Sequence, residues 1–149
     1  MWTFFPLLLL ALVAGFCLPT QAGVNAQLNL LTRSSILTAA ISFAVGTVTL
    51  VVCAMILKTS LPAGESISRS PLWIWTGGMI GAFFVVSTII LAPRLGAAAM
   101  VAWIVAGQML ASLVLDHFGL IGYPIHPLSG MRMLGVMMLL GGVILIRWF

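Results

Sequence analysis

Between Arg94 and Asp116 the chain carries no charge. Over the 21 residues from Leu95 to Leu115 only Gln108 and Ser112 are polar side chains. Wound as an α-helix, that run rises roughly 30 Å, about the thickness of a bilayer's hydrocarbon core. Hydrocarbon offers no partner to backbone N–H and C=O groups, so such a segment must be helical to satisfy them internally. Gln108, Ser112 and Asp116 follow i, i+4, i+8 spacing and share one face of that helix. A polar stripe on a lipid-length helix needs a partner or a cavity.

The rest of the chain agrees. Of its 149 residues 62% are hydrophobic and 5% charged, with a mean hydropathy of +1.27. Soluble domains carry about a quarter charged residues, so residues 1–149 read as a single all-α membrane domain whose solvent is the lipid bilayer. The net charge of +4 comes from six isolated Lys and Arg residues. Positions flanking membrane spans account for them, and nucleic-acid binding does not. Cys17 and Cys53 both lie in apolar runs without metal-ligand spacing, so no metal, disulfide or cofactor is expected. His117 and His126 fall in or beside a loop, and no Ser/His/Asp set or phosphate loop accompanies them. An enzyme is not expected.

Five helices are expected, at about residues 3–31, 34–57, 72–92, 95–116 and 128–148. The uncharged run from Trp2 through Leu18 has the look of a signal-peptide core, with Thr20-Gln21-Ala22 as a cleavage site. It lacks the basic segment that secretory signals carry, so a retained helix 1 is the expectation, kinked at Pro19. Gln21, Asn25, Asn29 and Thr32 form a polar stripe. Gln21 and Asn25 suit a cavity or a helix contact, Asn29 and Thr32 the headgroups. In helix 2, with Ser34 or Ser35 as N-cap, Thr38, Ser42 and Gly46 make a small-residue ridge for close helix approach. Residues 58–71 are the only substantial polar loop. Trp73 and Trp75 open helix 3 in the manner of an interfacial aromatic belt, and Gly77 and Gly81 follow at GxxxG spacing. Pro93-Arg94 read as a very short connection to helix 4. A turn-rich link, residues 119–127, precedes helix 5, which presents Gly135, Met138 and Gly142 as a smooth face.

Five spans put the termini on opposite sides of the membrane. Lys58, Arg69 and Arg132 then share the N-terminal side, and Arg33, Arg94 and Arg147 the other. Orientation follows the Lys/Arg bias, and three against three supplies none. Either the chain inserts both ways and pairs with itself antiparallel, or a partner chain sets its direction.

Several stretches together resemble the YdcZ-like family of the drug/metabolite transporter (DMT) superfamily. They include Gly15, Gln21 and Asn25-Ala-Gln-Leu28, then Ala40-Ile-Ser-Phe-Ala-Val-Gly-Thr47. Pro71-Leu-Trp-Ile-Trp-Thr-Gly-Gly78 with Gly81-Ala82 and Ala92-Pro-Arg-Leu-Gly-Ala97 follow. The longest is Gly107-Gln-Met-Leu-Ala-Ser-Leu-Val-Leu-Asp-His-Phe-Gly-Leu-Ile-Gly122, and Arg132-Met-Leu-Gly135 with Gly141-Gly-Val143 closes the set. The resemblance implies a multi-pass transporter of the bacterial inner membrane. It also implies that five helices correspond to one inverted-repeat half of a ten-helix DMT transporter.

A secondary transporter built from two such chains, as a homodimer or a heterodimer with a similar five-helix chain, would bind a small molecule near the midplane at the repeat interface. Gln108, Gln21, Asn25 and Ser42 are the candidate polar groups of that pathway, with Trp75 and Trp103 as aromatic walls. Asp116 is the sole acid placed to couple protons, and Arg132, on the same membrane side, offers it an ion pair instead. The contrasting expectation is a non-transporting subunit that packs into a larger complex.

Overall fold

The computed structural model describes residues 5–60, 64 and 70–149. The expected contributions of residues 3 and 4 to helix 1, and of Pro62, Glu65 and Arg69 to the polar loop, lie outside them. Among the described residues, five segments are long and apolar enough to cross a membrane. They are α1 (Phe5–Thr32), α2 (Ser35–Ile56), a 3-10 turn (Leu72–Trp75) running into α3 (Thr76–Leu95), α4 (Ala97–Phe118) and α5 (Gly130–Trp148). A second 3-10 turn, Leu120–Gly122, lies in the link before α5. The chain divides into two compact units, Met1–Pro93 and Arg94–Phe149.

In the first unit α1 is helical without a break through Pro19, which has no N–H for the Gly15 carbonyl. The turn into α2 is held by side chains. Ser34 caps α2, its Oγ accepting from the Leu37 N–H at 3.3 Å. Thr38 is fully buried; its hydroxyl lies 2.6 Å from that of Thr32 and donates to Asn29 Oδ1 at 3.3 Å. Asn29 and Thr32 therefore turn inward to α2 rather than out to the headgroups. The tight turn that brings α2 back beside α1 makes this pairing possible. Ala39 of α2 packs against Val85 and Ile89 of α3, with Phe84 and Val86 around them. Arg33 (φ 53°) and Lys58 (φ 51°) close α1 and α2 in the left-handed conformation, each putting a cation at the negative end of a helix dipole.

The second unit is a helical hairpin. Ala102 and Ala106 of α4 meet Val143 of α5, flanked by Leu139 and Leu140. Two alanines on one face let the backbones approach, the usual device where no hydrophobic force drives helices together in lipid.

The connection expected at Pro93-Arg94 falls later. α3 continues through both residues to Leu95, and Gly96 (φ 77°) makes the break. Proline near a helix end removes only the bond to the carbonyl four residues back, whereas a left-handed φ stops propagation. Several glycine positions of the small-residue ridges are open. A Cβ on Gly46, Gly77, Gly135 or Gly142 would meet nothing within 4 Å, and at Gly81 it would touch Phe43 at 3.5 Å. Large apolar side chains such as Leu8, Val48, Phe83 and Met138 are exposed, as a chain solvated by acyl chains allows.

Candidate functional site

A groove of about 560 Å³ opens between α1 and α2. Val13, Phe16, Val24 and Leu28 wall it on one side and Ile41 and Val45 on the other. Into this apolar trough project Gln21 and Asn25 from successive turns of α1 and Ser42 from α2. The i, i+4 spacing of Gln21 and Asn25 stacks them on one face. Gln21 and Ser42 also line a smaller cavity of about 230 Å³ that reaches Phe43, Gly46 and Val85. These two residues stand where the two spaces meet.

The polar groups differ in how they are satisfied. Thr20, at the groove's edge, donates to its own helix at Phe16 C=O, 2.9 Å away. Asn25 is 4% exposed, and its Nδ2 is buried with no hydrogen-bond partner. An amide donor left unmade in such surroundings costs roughly 1–3 kcal/mol. Among the described residues, no Asp, Glu, Lys, Arg or His lines the groove. What the groove offers is neutral hydrogen-bonding groups and shape.

Gln108, Trp75 and Trp103 are the other expected pathway residues. Gln108 and Ser112 are exposed on α4, on the side away from the Ala102–Ala106 contact with α5. Trp75 (57% exposed) sits in the 3-10 turn and does not line the groove, and Trp103 (50%) lies on α4 in the second unit. Sequence reasoning missed Phe16, Cys17 and Ile41 as walls, because apolar residues that face a groove and those that face lipid have the same composition.

Asp116 has a partner. Its Oδ2 lies 2.5 Å from Arg132 Nη2, and Arg132 Nη1 donates to His126 C=O at 2.6 Å. The His126 N–H in turn donates to the Asp116 carbonyl at 2.9 Å, and the Leu128 N–H donates to His117 Nδ1 at 3.2 Å. Ser129 caps α5, accepting from the Arg132 N–H at 3.3 Å. Six residues thus clamp the link between α4 and α5. No group of three or more metal-ligating side chains occurs among the described residues.

Five lipid-length helices among the described residues define an α-helical multi-pass membrane protein. The chain belongs to the family described as "Putative inner membrane exporter, YdcZ", which matches residues 6–145. It is similar to the inner membrane protein YdcZ of Escherichia coli strain K12, 32% identical over 84 residues. That stretch covers 56% of each chain, so the match reaches little more than half of the relative's length. No solved structure matches. The protein is a multi-pass protein of the bacterial inner membrane.

Proposed function

We propose that this chain is one half of a DMT-type exporter of small molecules, working as an antiparallel homodimer whose two copies share a polar pathway. The observation that carries the proposal is the exposed pair Gln108 and Ser112 on α4. A primary amide facing hydrocarbon has no partner, so a second chain or water must meet it. A hydrated pathway between two copies supplies both. The balance of three cations against three supports insertion in both directions. The open positions at Gly46, Gly77, Gly135 and Gly142 support close approach by another chain. A similar five-helix chain in the second position would use the same surfaces.

Alternating access would come from one half rocking against the other around the shared site. Water access to position 108 tests the proposal. In a chain with Cys17→Ala and Cys53→Ala, Gln108→Cys is expected to react with a membrane-impermeant maleimide added to inner-membrane vesicles. A thiol that reacts from neither side, yet reacts fully in detergent, contradicts transport and favours a packing subunit.

A further inference from the structure

We infer that the α1–α2 groove binds an uncharged, largely apolar small molecule carrying a hydrogen-bond acceptor, which takes its bond from Asn25 Nδ2. The inference rests on the reading of the chain as a transporter half and names the class of its cargo.

Three observations lead there. The volume of about 560 Å³ falls within the range of roughly 300–1,000 Å³ that small-molecule sites occupy. The walls are apolar, and the polar groups that reach the space, Gln21, Asn25 and Ser42, are all neutral. An ion held there would face no counter-charge at membrane depth, where an unpaired charge costs several kcal/mol. Charged cargo is therefore disfavoured. Finally, Asn25 Nδ2 is a buried donor with nothing to bond. The amide turns about a soft torsion, so a carbonyl or ether oxygen in the groove can take it. A lipid acyl chain filling the same space has no acceptor and would leave the donor unmade.

Benzophenone, a neutral apolar ketone that labels C–H bonds under near-ultraviolet light, is a direct probe. The full chain in lipid nanodiscs is irradiated with it, and labelled peptides are mapped by mass spectrometry. Labelling within residues 13–45 should saturate. Fluorenone should suppress it at a concentration roughly tenfold lower than fluorene, which has the same shape without the carbonyl. Tetraphenylphosphonium should not compete. Asn25→Leu should erase the difference between fluorenone and fluorene. Equal competition by those two in the natural sequence would overturn the inference, and that comparison needs no variant. Displacement by tetraphenylphosphonium, or unsaturable labelling spread over all helices, would overturn it as well. Saturable labelling in a chain of uniform membrane orientation upholds the groove and removes the antiparallel pairing. Loss of saturable labelling in a chain found in both orientations does the reverse.

Discussion

Asp116 and Arg132 join the end of α4 to the first turn of α5 through an Oδ2–Nη2 contact of 2.5 Å, the two side chains 23% and 34% exposed. A carboxylate at a helix C-terminus is unfavourable to the dipole, and an arginine at an N-terminus equally so. Each residue is misplaced alone and corrected by the other. Because Arg132 also reaches His126 C=O, the pair secures the returning link as well as the charges.

Removing one partner should therefore cost more than removing both charges. Asp116→Asn is expected to lower the unfolding free energy of the purified chain by about 1–2 kcal/mol, since partial exposure tempers the loss of a buried pair. The reversed pair, Asp116→Arg with Arg132→Asp, should recover much of it, because both charges then suit their helix ends. Thermal unfolding in detergent measures both. A reversed pair no more stable than either single reversal would show that the clamp depends on the present hydrogen bonds rather than on charge.

Gly119 closes α4 at φ 61°, and a Cβ there would lie 2.7 Å from Ile125 Cγ1. Gly119→Ala should destabilise the hairpin by about 1–2 kcal/mol from backbone strain alone. Trimming Ile125 to alanine in the same chain should relieve the clash and leave the strain. Partial recovery in the double variant, read by thermal unfolding, is the expected outcome.

The turn between α1 and α2 depends on Thr38, which is fully buried and bonded to Asn29 and Thr32. Thr38→Val keeps the shape, strands Asn29 Oδ1 and leaves the Thr32 hydroxyl only its bonds to Ser34. A loss of about 1–3 kcal/mol is expected, while Thr49→Val, whose hydroxyl bonds only its own helix at Val45 C=O, should change stability by less than about 0.5 kcal/mol.

Orientation should respond to single charges. Arg33 and Lys58 hold positive φ angles, so glycine replaces either without straining the turn. Arg33→Gly leaves Lys58, Arg69 and Arg132 against Arg94 and Arg147, which should place the N-terminal side in the cytoplasm and the C-terminus outside it. Lys58→Gly should do the opposite. A C-terminal reporter active only in one compartment reads the two results.

The spans were legible in the sequence because each needs only length and apolarity, which no packing detail overrides. Gln21, Asn25 and Ser42 were legible as a polar face because helical spacing alone aligns the first two, and the α1–α2 turn brings the third opposite. Asn29 and Thr32 were misplaced for the converse reason: their partner, Thr38, comes within reach only once Arg33 takes a left-handed turn. The helix break at Gly96 was hidden behind Pro93, the louder local signal. The α1–α2 groove is walled by aliphatic residues and Phe16, which composition does not separate from side chains that face lipid. Periodicity gives the face of a residue, and its neighbours depend on how helices cross.

An antiparallel homodimer requires one sequence to serve in two orientations. Locating the C-terminus in intact cells, with paired reporters for cytoplasm and periplasm fused to the natural sequence, tests it most directly. Both reporters are expected to be active at comparable levels, each shifting to a single compartment in the Arg33→Gly or Lys58→Gly chain. A natural sequence found uniformly on one side would contradict the antiparallel homodimer.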